Sequence, residues 1–523
     1  MVFKEEFITV FVFACFLSTF FSVKILTLFQ QCGYKLDEFY DCVFTSNKRE
    51  IMRLSTYSLT FLAGLTVISL CLQKFKGGVE LLVYAFSILL ARLYFMTEKI
   101  IKPPNMTSRF MRIYLFSCLS LSFAVAFLSS MLVLSAKELR FLPLGLIPIL
   151  CLIFIAVGWL IDFPYTKIRY LLSVSKCKRR LNSNKNLIKI GITGSFGKTT
   201  TKNYLYALLS KKFKVLVTPA SYNTPLGICK TVKNDIGDYE VFIAEMGARR
   251  KNDIKTLCKI VKPSIGVLTG VTNQHTKTLG NLEDVKNAKY QLIDGLIGEK
   301  YKVFSADCED LKSLYERAGA PKIYSGINGK RVNASQIKQT KDGIDFIINL
   351  DGESFNTFCP LLGEHNITDL CIAVEVALYL GVDKGKILST IPTLKPPNHR
   401  AEIINSPTGI TVIDDGYNAN LEGIKSTAEA IKVLDGYKVA VTSGVVELGN
   451  LTAEINQKVG AVLSNTFDCI ICVGSNAEHI EKGVNSNKKV QKVKSLNEAT
   501  EILKQTVKSG DVVAFFNDIP DRY

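Results

Sequence analysis

No acidic residue falls between Pro164 and Lys185, although seven basic ones do. The whole chain leans the same way, with 64 Lys+Arg against 47 Asp+Glu and a formal net charge of +17. An excess of that size suits nucleic acid or an anionic membrane surface. No groove-reading motif accompanies it, which sets nucleic acid aside as a partner. The basic run instead follows a hydrophobic segment directly, the signature of a cytoplasmic membrane flank. Paired cysteine spacings are lacking too. The 14 Cys form no disulfide framework, and several sit inside apolar runs, which indicates a reducing compartment and use as small apolar side chains. Cys469-Ile-Ile-Cys472 has redox or zinc spacing but stands alone in a run that predicts a buried strand. Residues three apart on a strand face opposite sides, so core filling is the better reading. Charged residues are only 21% against 48% hydrophobic, which excludes wholesale disorder. At roughly 150 residues per domain, 523 residues are too many for one.

The mean hydropathy of +0.20 averages two unlike parts. Five apolar stretches, near residues 7–29, 54–73, 79–96, 113–135 and 141–161, each approach the roughly 20 residues that cross a bilayer core. The third is short and carries Glu80 and Arg92. The first is too long in its apolar core for a simple cleaved signal, and more spans follow. Lys35, Lys48, Arg49 and Arg53 lie between the first two stretches; Lys99, Lys102, Arg109 and Arg112 lie between the third and fourth. The other side has Lys4, Lys74, Lys76, Lys137 and Arg140. The positive-inside rule then puts the N-terminus outside and everything after Ile161 in the cytoplasm of a multi-pass protein in the cell (inner) membrane. Five spans exceed what anchoring needs, and Arg92 suits an anionic headgroup, so an anchor and a platform for a lipid-linked substrate both stand as readings.

From Leu187 the texture changes. Residues 187–193 read as a strand, Gly194-Ser195-Phe196-Gly197-Lys198-Thr199-Thr200 as a glycine-rich turn, and 201–209 as a helix. Strand, turn and helix make a phosphate cradle of backbone N–H groups and a helix N-terminus. Lys198 is placed to neutralise β/γ-phosphates and the Thr199 hydroxyl to bind Mg²⁺. The spacing departs from the usual P-loop, since Ile192 occupies the position of its first glycine. Further along, 241–245 predicts an apolar strand that ends on Glu245, placed to hold Mg²⁺ beside Thr199. Pro396-Pro397 interrupts a helical stretch and marks the hinge to the last domain, where strands at 412–415, 438–443, 469–473 and 512–516 alternate with helices, as in a Rossmann-like parallel sheet. A lone strand-end Glu is commonly a solvated loop residue, a lone His structural and a lone Lys a surface charge. His399 and His479 keep those ordinary readings, and Asp414 reads equally as a strand-end cap.

Thr193-Gly-x-x-Gly-Lys-Thr-Thr200 resembles the Mur ligases, ATP-dependent amide-bond formers of peptidoglycan precursor synthesis. Tyr222-Asn223, Pro225-Leu-Gly227, Glu245-Met-Gly247, Thr272-Asn-Gln-His275, Leu279-Gly280, Ala288-Lys289, Gly363-Glu-His-Asn366, Arg400, Asp414-Asp-Gly-Tyr-Asn-Ala-Asn420 and Val446-Glu-Leu-Gly449 follow in order. The Asp-Asp-x-Tyr-Asn-Ala-Asn run looks most like the branch that adds D-Ala-D-Ala to a UDP-MurNAc-tripeptide. The resemblance covers residues 187–511. It implies that a carboxylate is phosphorylated by ATP and the acyl phosphate is attacked by an amine, with two Mg²⁺ ions. It makes His275 a ligand of the second ion and Lys289 a carbamylated ligand. It makes His365 and Asn366 adenine contacts, Asp415 a ribose contact, Arg400 a phosphate contact, and Asn223 a neighbour of the transferring phosphate.

The sequence also departs from that family. Five spans stand where soluble relatives carry a UDP-sugar domain, so the carrier is UDP or a lipid. Gly416, Val446 and Leu421 replace the usual Ser, acidic residue and Pro, and the segment Phe515-Phe-Asn-Asp-Ile-Pro-Asp-Arg-Tyr523 replaces a Lys-Gly-Ser-Arg ending, which implies an altered amine pocket. The expected architecture is an all-α transmembrane domain (residues 1–165), a basic linker (166–186), a central P-loop parallel-sheet α/β domain (187–397) and a C-terminal Rossmann-like α/β domain (398–523). The expected function is a membrane-bound ATP- and Mg²⁺-dependent amide ligase that joins a carboxylate-bearing envelope precursor to an amine. A non-catalytic, nucleotide-sensing membrane scaffold is the alternative. An ATP-driven transporter ranks last, since transporter signatures are lacking.

Overall fold

The structure, a computed structural model, describes residues 2–43, 103–135, 141–220, 222–233, 236–272, 279–416, 420–446, 448 and 451–516, with isolated positions 56, 60, 64 and 89. The chain divides into two compact units at Leu171/Leu172.

The first unit is built on helices α1 (Val2–Gln31), α2 (Ser108–Ser135) and the start of α3 (Ile147–Ser183). All three are long and apolar enough to cross a membrane, with mean hydropathies of 2.0 to 2.2. Expected spans 54–73 and 79–96, with Arg92, lie outside the described residues. Small residues bring the helices together. A Cβ on Gly158 of α3 would stand 2.2 Å from Ser117 Oγ and 2.7 Å from the Ile113 carbonyl of α2. Ser18 of α1 and Ser122 of α2 share a buried hydroxyl contact of 3.3 Å, and the Tyr114 hydroxyl donates to the Thr19 carbonyl. The fifth apolar stretch does not stop at Ile161. Its helix runs through Pro164 to Ser183, so the basic flank is helical. Its far end belongs to the second unit: Cys177 and Leu181 are buried there against Ile228 and Val232.

Among its described residues the second unit holds three sheets. The first is six-stranded and parallel, in the order β2-β3-β1-β4-β5-β6. Its members are β1 (Ile188–Thr193), β2 (Val215–Val217), β3 (Val241–Glu245), β4 (Ile265–Leu268), β5 (Tyr301–Ser305) and β6 (Lys322–Ser325). Runs such as Val241-Phe-Ile-Ala-Glu245 are buried throughout, as strands covered on both faces must be. The chain winds one way from β1 to reach β3 and the other way to reach β4. The ends of β1, β3 and β4 therefore flank a topological switch point, where open α/β sheets bind ligands. Helix α4 (Lys198–Leu209) follows β1, α5 (Leu282–Asp294) carries Lys289, and α6 (His365–Tyr379) is apolar on nearly every face. A helix apolar all round has to be buried, and α6 packs in the same core as Leu205, Leu208 and the β1 residues Ile190 and Ile192.

An antiparallel sheet, β7 (Val332–Gln339), β8 (Ile344–Leu350) and β9 (Glu353–Cys359), flanks this core. The third sheet runs β10-β11-β15-β12-β13-β14. Its members are β10 (Glu402–Asn405), β11 (Thr411–Asp415), β12 (Lys438–Thr442), β13 (Cys469–Val473), β14 (Lys489–Val493) and β15 (Val512–Phe516); among them only β10 is antiparallel to its neighbour. Cys469 and Cys472 are fully buried in β13. Pro396-Pro397 does not interrupt a helix; the helical turns end at Thr393, ahead of the pair.

Two glycines let helices of this last sheet touch backbone to backbone. A Cβ on Gly460 would lie 2.0 Å from the Ile480 carbonyl oxygen, and one on Gly483 would lie 1.8 Å from that of Gln457. Gly483→Ala should therefore destabilise this layer by about 1–3 kcal/mol. Hydrogen exchange on the full chain should show faster exchange in residues 452–484 and none at residues 188–193; unchanged exchange in 452–484 would contradict this packing.

Candidate active site

The loop after β1 is shaped by what touches its glycines. Gly197 has φ +76, and a Cβ there would stand 2.4 Å from Asp369 Oδ1 of α6. A Cβ on Gly194 would stand 2.2 Å from Thr269 Oγ1, beyond β4. Ile192 lies within β1 and is buried, so the glycine of close approach is Gly194, two residues on. Ser195 N–H donates to the Gly270 carbonyl at 2.7 Å, and Thr272 N–H donates to Ser195 Oγ at 3.2 Å. Lys198 opens α4, and its ammonium donates to the Gly194 and Ser195 carbonyls at 2.8 and 3.0 Å. Burial above all pushes that ammonium down to about 8; Glu245 opposes the shift and Arg400 adds to it.

Glu245, at the end of β3, is the hub. Its Oε2 accepts from Thr199 Oγ1 at 3.0 Å and from Lys202 Nζ at 3.0 Å, and its Oε1 accepts from Asn223 Nδ2 at 3.2 Å. Both Glu245 and Lys202 are 1% exposed. Burial alone would raise the Glu245 carboxyl, but Lys202 and Lys198, with the bonds from Lys202 and Thr199, hold it below the ordinary carboxylate value. Lys202 also donates to the Ala220 carbonyl. Sequence reasoning missed Lys202. It stands four residues after Lys198, on the same helix face, and that spacing was its only signal.

Lys289 of α5 is 2% exposed and makes no hydrogen bond or ion pair among the described residues. Burial, and after it the charge of Lys198, pushes its amine down to about 7, with Asp253 opposing. His275 lies outside the described residues. Among the described residues no three His, Cys, Asp or Glu side chains form a metal cluster. The Thr199 hydroxyl and Glu245 carboxylate are nonetheless hard oxygen donors side by side, the kind Mg²⁺ takes.

A cavity of about 1000 Å³ opens beside the loop, lined by Gly197, Thr200, His365, Arg400, Asp415 and Ser426 among others. Lys198, Thr199, Asn223, Glu245 and Lys289 do not line it; they cluster at the loop next to it. His365 Nδ1 meets Ser426 Oγ at 2.8 Å, and burial, with Arg400, pushes its imidazole down to about 4, so the ring is neutral. Asn366 is locked by the Tyr204 hydroxyl at 2.8 Å and by its own bond to the Leu362 carbonyl. Asp415 accepts from Thr427 Oγ1 at 3.0 Å and Ala401 N–H at 3.3 Å, and burial pushes it up to about 6. Asp369, another residue the sequence reading passed over, takes the Thr201 hydroxyl at 3.0 Å and is pushed by burial up to about 8, with Arg400 and Lys198 opposing. Asp414 pairs with His399 at 2.7 Å and accepts from Gly416 N–H.

A phosphate loop at a parallel-sheet switch point, a strand-end carboxylate fixed by lysines, and a second α/β layer that supplies an Arg and an Asp to one cavity define a nucleotide-dependent transferase or ligase. The comparisons make this specific. Residues 192–377 match the Mur ligase middle domain and residues 399–516 the Mur ligase glutamate ligase domain. The chain is 31% identical over 331 residues to the UDP-N-acetylmuramoyl-tripeptide–D-alanyl-D-alanine ligase of Synechocystis sp., covering 62% of this chain and 70% of that one. The enzyme of the same name from Bacillus subtilis is 28% identical over 332 residues, covering 62% and 72%. The MurF ligase of Thermotoga maritima in complex with ADP is similar in structure, with a TM-score of 0.60, 25% identity, and coverage of 67% of this chain and 80% of that one. The chain belongs to the Mur ligase family and is an ATP-dependent acid–amino-acid ligase.

Lys289 stores a measurable penalty. Its folded-state pKa of about 7 lies below the ordinary 10.5, so the buried ammonium destabilises the fold fully below pH 7. That penalty shrinks as pH rises from 7 towards 10.5. Lys289→Met should raise thermal stability most at pH 6–7 and least near pH 10. A stability gain independent of pH, or a loss at pH 6, would contradict the assignment.

Proposed function

We propose that this chain is a membrane-embedded ligase that joins the amine of D-alanyl-D-alanine, or a closely related dipeptide, to the terminal carboxylate of a muramoyl peptide. The arrangement of Thr199, Lys202 and Asn223 around Glu245, beside a cavity that carries His365 and Arg400, supports this reading. In it, ATP lies with its adenine towards His365 and Asn366, its ribose on Asp415 and its phosphates on residues 194–200. Lys198 and Arg400 take up phosphate charge. The acyl carboxylate attacks the γ-phosphorus, ADP leaves, and an acyl phosphate forms. The dipeptide amine then attacks the acyl carbon, phosphate leaves, and the amine loses a proton.

Thr199 and Glu245 would hold Mg²⁺, which supplies charge neutralisation between carboxylate and triphosphate. Asn223 steadies Glu245 from the other side and stands near the transferring phosphate. Lys289, as a neutral amine, can add CO₂ and release a proton to become a carbamate, whose oxygens and the His275 ring would hold a second Mg²⁺. The second α/β layer keeps water from the acyl phosphate.

The three apolar helices and the basic stretch after Asp162 support a multi-pass location, with the N-terminus outside and the ligase unit in the cytoplasm. With such spans ahead of the ligase unit, the acyl substrate is either UDP-linked in solution or carried on a lipid in the same bilayer.

Purified full chain in detergent should release ADP and phosphate from MgATP only when both the muramoyl peptide and D-alanyl-D-alanine are present. Lys198→Ala should lower that rate by at least ~100-fold. Nucleotide binding without substrate-dependent ADP release would replace this reading with a nucleotide-sensing scaffold.

A further inference from the structure

We propose that Arg109 and Arg112 form a binding site for the anionic phosphate headgroup of a membrane lipid. This rests on the membrane reading above.

Both arginines lie in the first turns of α2, and both face Asp162 of α3, whose side chain is fully buried. One carboxylate needs one cation, and the structure shows which one it has. Arg112 Nε donates to Asp162 Oδ1 at 2.6 Å, and Thr166 Oγ1 donates to Oδ2 at 2.7 Å. Arg109 Nε comes no closer than 3.6 Å to that carboxylate. That is too long for a hydrogen bond, and Nε is buried without a hydrogen-bond partner among the described residues. Arg109 is therefore held by Asp162 only as a loose ion pair, and its charge exceeds what the one carboxylate neutralises. Among the described residues the group carries a net charge of +1, Arg112 Nη2 also reaches Thr166 Oγ1 at 3.5 Å, and most of the ten N–H donors meet no acceptor.

Both guanidiniums are held in place. Arg109 lies 4.4 Å from the centre of the Tyr34 ring, and Arg112 lies 4.4 Å from that of Tyr165, so each plane is set by a cation–π contact. Gln30 clasps the backbone of Asn105 from both sides, accepting from its N–H at 2.9 Å and donating to its carbonyl at 2.7 Å. This ties the end of α1 to the start of α2. Each arginine keeps 31% of its side chain exposed. Two planar, oriented, partly exposed guanidiniums beside one another match a phosphate, which each can bind with paired N–H bonds.

The surroundings select a lipid as the source of that phosphate. Met111 and Leu115 on α2, and Ile161 and Phe163 on α3, are large apolar side chains exposed by 44% or more. They flank the arginines and the aspartate in the chain and suit a hydrocarbon tail. Arginine and tyrosine together at a helix end are also what a bilayer border selects.

The test uses the full chain in nanodiscs of phosphatidylcholine with a minor fraction of phosphatidic acid or of a polyprenyl phosphate, with retained lipid read by native mass spectrometry. Wild type should retain the anionic lipid about tenfold more than Arg109→Gln or the Arg109→Gln/Arg112→Gln pair. Asp162→Asn removes the competing carboxylate and should retain more than wild type, whereas a purely structural ion pair predicts a loss. Retention that is equal in wild type and the arginine variants, or a loss in Asp162→Asn, would overturn the proposal. Displacement of the lipid by millimolar inorganic phosphate would overturn its lipid part and leave a free-phosphate site. Arg109→Gln keeps the Arg112–Asp162 bond, so it tests the site even if the double variant does not fold. Recovery of wild type in the soluble fraction would instead sink the membrane reading itself.

Discussion

A single buried carboxylate organises the catalytic unit. Glu245 ends β3 where the sheet switches direction; Lys202 and Lys198 of α4, with the bonds from Lys202 and Thr199, keep it ionised against its burial, and Asn223 of the loop beyond β2 bonds its other oxygen. A carboxylate at 1% exposure without such partners would take up a proton or destabilise the fold by several kcal/mol. The same contacts fix the phosphate loop. Thr199 and Lys202 sit on the helix whose N-terminus closes that loop, so neutralising Glu245 also sets the register of α4 against β1 and β3. Stability and chemistry thus draw on one arrangement.

Around this hub the charges are graded. Lys198 feels the charge of Arg400, Lys289 feels that of Lys198, and burial lowers the pKa of both lysines. Asp369 and Asp415 are driven the other way. A polyanion entering such a site would strengthen the ammonium form of Lys198, offsetting the effect of its burial. His365 shows the complementary case. Its ring, held neutral by burial and bonded to Ser426, suits an uncharged base and not a phosphate.

Much of this was legible in the sequence, for identifiable reasons. The phosphate loop, Glu245, and strands such as 412–415 and 469–473 are local patterns: apolar runs that end on glycine or a carboxylate. What escaped depended on long-range packing. Lys202 looks like any surface lysine of an amphipathic helix, and only the tertiary approach of β3 makes it a counter-ion. Asp369 lies among apolar residues of α6, and its role follows from Gly197 packing against it. Strands β7 to β9 were overlooked although 344–350 alternates in burial, because a small antiparallel sheet adds no motif. The helix past Pro164 continues because its residues keep apolar and basic side chains on a helical repeat, and the ring of Pro164 is accommodated within it. Arg109 and Arg112 were read only as positive flank. Their pairing with Asp162, fifty residues further on, needed the fold.

The central claim is that Glu245 is the metal-bearing carboxylate of a nucleotide site. The most direct measurement is an equilibrium titration of ATP into the full chain, with and without Mg²⁺, for wild type and Glu245→Gln. The account predicts that Mg²⁺ tightens binding to wild type and that the variant binds ATP equally with or without the metal. A Mg²⁺-dependent gain of the same size in the variant would contradict it.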